Sequence, residues 1–485
     1  MWGGSTLAYR DLQQFIEVLE KAGELKRITA PVSPKLEITE ITDRVTKAGG
    51  PALLFENVEG SPYPVLINAF GTLKRMQMAL EVDDLDAIGG RIRELMTPPE
   101  VTGFWDKLKA LPRLAELGNF VPRTASRGAC QEVVEEDPDL TKLPVLTCWP
   151  QDGGPFITLP LVFTKDPVSG RRNIGMYRMQ VFDRKTTGMH WHLHKHGAEH
   201  YEHVSPEQRR LPVAVVLGSD PAVIYSATAP LPAGIDELVF AGFLRKAPVE
   251  LVKCKTVDLE VPANAEFVIE GYVELGELRT EGPFGDHTGF YSLADQYPVF
   301  HVTAVTHKKN PVYPTTIVGK PLQEDYFLGK ATERIFLPLL QMLVPEVTDY
   351  NMPAEGVFHN CVLVSIKKRY PGHARKVMHA LWGMGLMMLA KLIVVVDHDV
   401  DVHDLSTTAW VVFNNTDWKR DVEITEGPVD ALDHTAPLPH LGGKMGVDAT
   451  RKWKTEGFQR EWPDNITMSP DMRSRVSRRW KEFGL

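Results

Sequence analysis

The chain has 485 residues, 43% of them hydrophobic and 24% charged, enough at roughly 150 residues per domain for about three domains with ample core. A net charge of −9 without a basic block argues against a nucleic-acid grip, which needs dense Lys and Arg. No run of about 20 apolar residues offers a membrane span. The start, through Asp11 and Glu17, lacks a signal-peptide pattern, and Cys130, Cys148, Cys254 and Cys361 fit neither a disulfide framework nor a CxxC metal site, so a cytoplasmic protein is expected.

In chain order, Asp11 can cap a helix whose apolar positions Leu12, Phe15, Ile16 and Leu19 share one face, with Gly23 closing it. A second helix pattern around Leu36, Ile38, Ile41 and Val45 ends at Gly49. Strand-like runs at Ala52–Phe55 and Val65–Ile67 and a helix near Ile88–Met96 follow, and a linker around Thr97–Pro122 ends an α/β unit near residue 115. From about 125 to 320 the pattern changes to strands and turns. Asp166–Gly170 and Asp183–Gly188 read as hairpin turns, Val213–Leu217, Glu250–Cys254, Glu266–Leu275 and Val299–Thr306 as strands, and Ile235–Arg245 as the clear helix. A β-barrel or sandwich is the economical reading. After 325 the alternation returns, with helices at Phe327–Leu343 and Ala374–Leu381 and strands at Val362–Ile366 and Leu392–Val396. From Pro437 the chain is polar and broken by Pro and Gly, ending in a basic helix near Arg473–Lys481.

Three constellations carry candidate chemistry. His190, His192, His194 and His196 repeat every second residue, so on a strand they project from one face. That row is either a metal or anion site or a solvated strand end, and the segment alone does not say which histidine ligates. Glu281 and Asp286 would face opposite ways on a regular strand, but Gly282, Pro283 and Gly285 argue for a turn, which either swings both toward one site near an arginine or leaves them as solvated acids. Asn173 to Arg178 closes a hairpin. Asn173 and Arg178 also point apart on an ideal strand, and a bulge at Gly175 would bring both to one side. Gly442 to Gly446 reads as a mobile, Gly-rich basic loop around Lys444, without P-loop spacing.

Taken in order, Asn-Ile-Gly-Met-Tyr-Arg ending at Arg178, the His194–Lys195 segment, Glu-Gly-Pro-Phe-Gly-Asp-His-Thr-Gly from Glu281 to Gly289, and Lys-Met-Gly-Val-Asp-Ala-Thr from Lys444 resemble the UbiD decarboxylases over nearly the whole chain. The resemblance is closest to the 4-hydroxybenzoate and 3-polyprenyl-4-hydroxybenzoate carboxy-lyase branch. It implies reversible, non-oxidative decarboxylation of an aromatic or α,β-unsaturated acid, in quinone biosynthesis or aromatic acid metabolism. The implied cofactors are prenylated FMN, Mn²⁺ (or Mg²⁺) and K⁺. The implied fold is α+β and multidomain: an N-terminal α/β region (1–115), a central flavin-binding split β-barrel (116–322), a C-terminal α/β oligomerisation domain (323–436) and a tail (437–485) carrying the Lys444 loop. The implied partners are a flavin prenyltransferase that supplies the cofactor and further copies of the chain, as a dimer or hexamer. A prenylated substrate would add peripheral membrane association.

Carried over residue by residue, Asn173, His194 and Glu237 are the expected metal ligands. Met176, Tyr177, Arg178, His190, Trp191, His192, Lys195, His196 and Lys444 are the expected cofactor contacts, and Ala227 to Pro230 matches the segment that helps hold K⁺ and phosphate. Arg178, Glu281 and Asp286 form the expected catalytic network, with Asp286 protonating the carbon that CO₂ leaves. A free Asp titrates near about 3.9, so a neutral donor needs its pKa raised toward about 7, with burial beside Glu281 expected to supply part of the rise. The Phe327–Leu343 and Val377–Met388 patterns, more apolar than one small sheet needs, are expected to mediate the oligomer. A flavin- or metal-binding protein without decarboxylase activity, such as a flavin reductase or metallohydrolase, is the second reading.

Overall fold

The computed structural model describes residues 8–96, 118, 120–191, 196–232 and 234–484. Most of the linker read at 97–122 lies outside them. Among the described residues no helix is long and apolar enough to cross a membrane.

The first helix, Leu12–Lys21, starts where Asp11 accepts a hydrogen bond from the Gln14 amide, and it buries Leu12, Phe15, Ile16 and Leu19. These apolar positions share one face at helical spacing. Helices Glu37–Lys47 and Asp86–Met96 and strands Ala52–Phe55 and Val65–Ile67 form where the patterns place them. The N-terminal sheet runs Leu25–Ile28, Ala52–Phe55, Val65–Ile67, Tyr313–Pro314. Its last strand comes from the far end of the middle region, so the first unit is closed by residues remote in sequence.

The middle region is built on a seven-stranded antiparallel sheet. Its order is Thr186–Gly188, Asp295–His307, Phe267–Glu281, Arg210–Leu217, Leu161–Lys165, Arg172–Met176, with Val133–Glu135 added beside Asp295–His307. Among the described residues no pair joins the two ends of that path. Both faces are covered: Ala214, Val216 and Val268 enter one hydrophobic core, while Val213, Val215, Phe267 and Ile269 enter another. That alternation is the period of two expected of strands. The helix read at Ile235–Arg245 forms as Glu237–Arg245, capped by Asp236.

The C-terminal sheet has the order Val347–Asn351, Cys361–Ile366, Leu392–Asp397, Leu441–Asp448, Val422–Pro428. Helix His373–Trp382 buries Val377, Met378 and Leu381 in the core on one face, and Leu405–Asn415 buries Val411 on the other. Two readings need correction here. The Gly-rich segment around Lys444 is neither a mobile loop nor part of a tail after 436: it is a strand paired on both sides. Glycine suits that place because a Cβ on Gly446 would lie 2.5 Å from the Met378 sulfur, so the helix can sit close to the sheet only over hydrogen. The long helix Glu324–Leu343 also buries more of its apolar face within the chain than its pattern suggested. Leu328, Ala331, Ile335 and Phe336 join the same core as Ile88 and Ile92, and Gly89 faces the Arg334 carbonyl, where a Cβ would come within 3.1 Å.

Candidate active site

The strands Phe267–Glu281 and Asp295–His307 form a long hairpin whose last paired residues are Glu281 and Asp295. The connection between them folds back on itself: the Asp286 amide donates to the Phe290 carbonyl (3.1 Å) and the Ser292 amide to the Phe284 carbonyl (2.8 Å). Half-buried Asp152 ties it down, accepting from the Gly285 amide at 2.8 Å and from the Trp149 amide at 2.8 Å. Glycine is required at 285, where a Cβ would lie 2.2 Å from Trp149 Cδ1.

Opposite, Arg172–Met176 pairs in unbroken register with Leu161–Lys165. The bulge expected at Gly175 is therefore absent. The strand simply ends after Met176, the chain turns out of the sheet at Tyr177 and Arg178, and Met179–Gln180 pairs instead with Phe156–Ile157. Termination reorients Arg178 relative to Asn173 without a bulge. Gly175 serves the Tyr177 ring, which folds back to within 2.2 Å of where a Cβ would stand.

The turn and the strand end bring the three expected catalytic side chains together. Arg178 Nε donates to Glu281 Oε1 at 3.0 Å, Nη1 to Asp286 Oδ2, and Nη2 to Ser292 Oγ at 3.1 Å. The guanidinium also lies 4.6 Å from the Phe284 ring centre. His190 Nδ1 is 2.8 Å from Glu281 Oε1, and its ring packs 4.2 Å from that of Tyr297. On the far side of Asp286, His287 Nδ1 is 2.7 Å from Oδ1, and His287 Nε2 meets His359 Nε2 at 2.8 Å. All of these acidic and basic groups have little exposed surface.

The electrostatics of Asp286 run opposite to the sequence expectation. Burial pushes its pKa up, but the hydrogen bond and charge of His287, with Arg178 beside it, hold the carboxyl well below the usual range. In this arrangement Asp286 is ionised, not a neutral acid. Burial by itself would lower His287, yet Asp286, with Asp325 and Asp430 nearby, raises it above the ordinary histidine value. His359 is lowered to about 4 by burial and then by the charge of His287. Asp325 is pushed up to about 7, first by burial.

Beside this cluster opens a cavity of about 1210 Å³, lined among others by Asn173, Met176, Tyr177, Thr228, Glu237 and Met388. Glu237 is buried at the start of its helix, where Oε2 accepts from the Ile174 amide at 3.2 Å. Burial first, then the neighbouring Asp236, raises it to about 7. The Asn173 side-chain nitrogen is buried with no hydrogen-bond partner among the described residues. Burial pushes the Tyr177 phenol up. Two of the three expected metal ligands thus share one wall, and their hard oxygen and amide donors suit Mn²⁺ or Mg²⁺.

The rest of the expected site divides. His192, His194 and Lys195 lie outside the described residues, and His196 opens the helix His196–Glu202. The strand period read for the row therefore does not hold at its last member, His196. Trp191 packs on Tyr201, ring centres 5.7 Å apart. Lys444 is buried in its strand, donating to the carbonyls of Met388 and, at 3.2 Å, of Ala390, and burial lowers its pKa to about 8. It thus sits directly behind the cavity-lining Met388. Ser292, Asp152 and His359 had no assigned role. Ser292 and His287 stand in or next to the Glu281–Gly289 string and were within reach of the sequence. His359 carries no signal, because it arrives from another domain.

Comparison with known proteins gives one picture. Residues 16–92, 123–321 and 326–449 match the N-terminal, Rift-related and C-terminal domain models of 3-octaprenyl-4-hydroxybenzoate carboxy-lyase. An uncharacterized protein of Archaeoglobus fulgidus is 53% identical over 98% of this chain and 99% of its own. The UbiD-class enzyme HmfF of Pelotomaculum thermopropionicum, solved with FMN, is 31% identical over 96% of this chain and 98% of its own, with a TM-score of 0.80. The closed form of Sedimentibacter hydroxybenzoicus vanillic acid decarboxylase is 30% identical over 98% and 99%, with a TM-score of 0.84.

Proposed function

The chain belongs to the UbiD family of carboxy-lyases, and from that premise we propose that it reversibly decarboxylates an aromatic or α,β-unsaturated acid of the 4-hydroxybenzoate type, using prenylated FMN. The observation that carries this reading is the buried Arg178–Glu281–Asp286 cluster at the end of a strand whose preceding residues line the cavity. The solved relatives with FMN and with prenylated FMN support a flavin in that cavity.

The residues present fit such a group and its cation. Asn173 has a buried side-chain nitrogen without a partner among the described residues, and Glu237 is a carboxylate whose ionised form burial disfavours. A divalent cation would be held by the Asn173 amide oxygen and the Glu237 carboxylate, with His194 as third ligand, while the unpartnered Asn173 nitrogen would donate to a phosphate oxygen and K⁺ would sit near Ala227 to Pro230. Met176 and Tyr177 would flank the ring system, with His190, Trp191, His192, Lys195, His196 and Lys444 as further neighbours in the family pattern. Bound prenylated FMN would supply an electron sink for the charge left on an sp² carbon by departing CO₂.

The protein's own part is positioning and proton transfer. Arg178 holds Glu281 and Asp286 at fixed distances by charge-assisted hydrogen bonds, which are shorter and stronger than neutral ones. Phe284 on one side and the Asp152-anchored turn on the other keep the cluster out of water. Asp286 delivers the proton to the carbon; being ionised in the ligand-free arrangement, it must first take that proton up. A flavin prenyltransferase would provide the cofactor, and the chain would work as a homo-oligomer, of which an evolved dimeric form of HmfF is a solved example.

The test is to purify the protein with and without a co-expressed flavin prenyltransferase and to screen hydroxybenzoates, heteroaryl acids and cinnamates. Release of CO₂ and ¹³CO₂ exchange only in the co-expressed sample is the expected result. A fully flavin-loaded protein that exchanges no acid would favour the second reading, a flavin- or metal-binding protein without decarboxylase activity.

A further inference from the structure

Two imidazoles meet nitrogen to nitrogen behind the acid, and they come from different parts of the fold. His287 belongs to the turn of the central hairpin, whereas His359 precedes the C-terminal strand Cys361–Ile366. We propose that His287 is the proton reservoir of Asp286 and that His359, reaching across from the C-terminal domain, is the acceptor that holds this reservoir in place. The inference rests on the decarboxylase reading.

The hydrogen-bond inventory is restrictive. Asp286 gives Oδ2 to Arg178 and Oδ1 to His287. An ionised carboxylate only accepts, so His287 must carry hydrogen on Nδ1. Between the two Nε2 atoms, 2.8 Å apart, one ring must donate and the other accept. A doubly protonated His287 beside a neutral His359 answers both demands at once. The surroundings favour that assignment. The charged or titratable groups facing His287 are Asp286 in the turn, Asp325 in the first turn of helix Glu324–Leu343, Asp430 after strand Val422–Pro428, and His359. Three of the four are carboxyls. The Phe358 ring, 5.5 Å away, adds an apolar neighbour from the C-terminal side. The opposite tendencies of the two histidines, His287 raised and His359 lowered to about 4, agree with a charged donor and a neutral acceptor at neutral pH.

The proton balance is simple. Loss of CO₂ from a carboxylate leaves a carbon that must gain one proton per turnover. The Nδ1–H bond of His287 breaks as an O–H bond forms on Asp286, and that O–H bond breaks as the new C–H bond forms. His287, now neutral with hydrogen on Nε2, recovers a proton at Nδ1 from water, to which its side chain is 19% exposed. Nothing is oxidised or reduced in these steps. Because both histidines act through Asp286, they are positioning residues. His359 also makes the acid's proton supply depend on how the C-terminal domain sits against the turn.

The experiment uses holoenzyme labelled with ¹⁵N-histidine, together with variants His287→Asn, His359→Ala and His359→Gln. NMR should show His287 titrating above about 6.5, falling by about one pH unit in His359→Ala and restored in His359→Gln, whose amide oxygen can accept the same hydrogen. With 4-hydroxybenzoate and phenol as the probe pair, hydrogen–deuterium exchange at the product carbon should fall on the alkaline side with the same midpoint. His287→Asn should remove that limb and lower exchange by about 10- to 100-fold, with flavin occupancy and melting temperature kept. An unchanged His287 midpoint in His359→Ala, or a wild-type alkaline limb in His287→Asn, overturns the proposal. Should wild-type holoenzyme exchange no acid at all, the decarboxylase reading has failed, and the histidine pair is judged on the NMR midpoints alone.

Discussion

The acid cluster and the cavity wall proposed to hold a cation are neighbours in sequence, separated at Arg178 and Asn173 by a single strand end, yet they are built on opposite terms. Around Arg178 nearly every polar atom is answered within the chain: the guanidinium serves Glu281, Asp286 and Ser292, and the second oxygen of Asp286 is taken by His287. Among the described residues, Oε2 of Glu281 is left over. At the cavity wall, Asn173 has a buried side-chain nitrogen with no partner among the described residues, and Glu237 accepts an amide hydrogen of Ile174 while burial opposes its charge. Buried polar groups are ordinarily satisfied, so a wall that leaves them unsatisfied is one that a ligand completes. On the proposed function, the first is a preorganised proton-transfer unit and the second a binding surface.

The largest effect should come from the preorganised side. Asp286→Asn keeps shape and hydrogen bonds but carries no transferable proton, and it should lower turnover by about two to four orders of magnitude with flavin occupancy unchanged. Turnover within about threefold of wild type would show that Glu281 or water is the donor. The binding side should answer to pH. A carboxyl raised from 4.5 to about 7 in the folded state stabilises the fold below 4.5 relative to higher pH, and that contribution is lost as pH climbs through 7. Without cation, Glu237 should therefore cost at most about 3 kcal/mol between pH 5 and 8. Denaturation midpoints should show this slope flattened in Glu237→Gln, and Mn²⁺ should raise the wild-type melting temperature at pH 8 but not the variant's.

A third substitution tests whether the turn is preorganised by packing. Gly285→Ala would drive a methyl group against Trp149, whose indole is pinned by a 2.9 Å bond to the Val318 carbonyl. It should destabilise by about 1–3 kcal/mol and lower turnover while leaving Mn²⁺ binding intact; equal loss of both would mean the two regions are one unit. The smallest effect concerns assembly. Phe413 and Ile424 are 72% and 71% exposed on the C-terminal domain, more than a lone surface needs. Phe413→Glu should reduce the mass seen by light scattering at micromolar concentration without altering either region's chemistry.

What the sequence determined by itself was local and periodic. Helix Leu12–Lys21 and strands Ala52–Phe55 and Cys361–Ile366 follow from apolar spacing and a capping Asp, and the Gly-Pro-Phe-Gly turn joins Glu281 to Asp286 because no regular strand accommodates those residues. The tertiary structure decided what depends on contacts remote along the chain. The segment around Lys444 has the composition of a loop and becomes a strand because neighbours on both sides supply its hydrogen bonds. Tyr313–Pro314 completes a sheet begun near residue 25. The charge of Asp286 was decided in the same way. Burial would have made it the neutral acid its role suggested, but the summed field of Arg178 and His287 outweighs desolvation. One of those groups is positioned by the end of a strand and the other is met by His359 from a different domain, and such convergence in space leaves no period or spacing in the sequence.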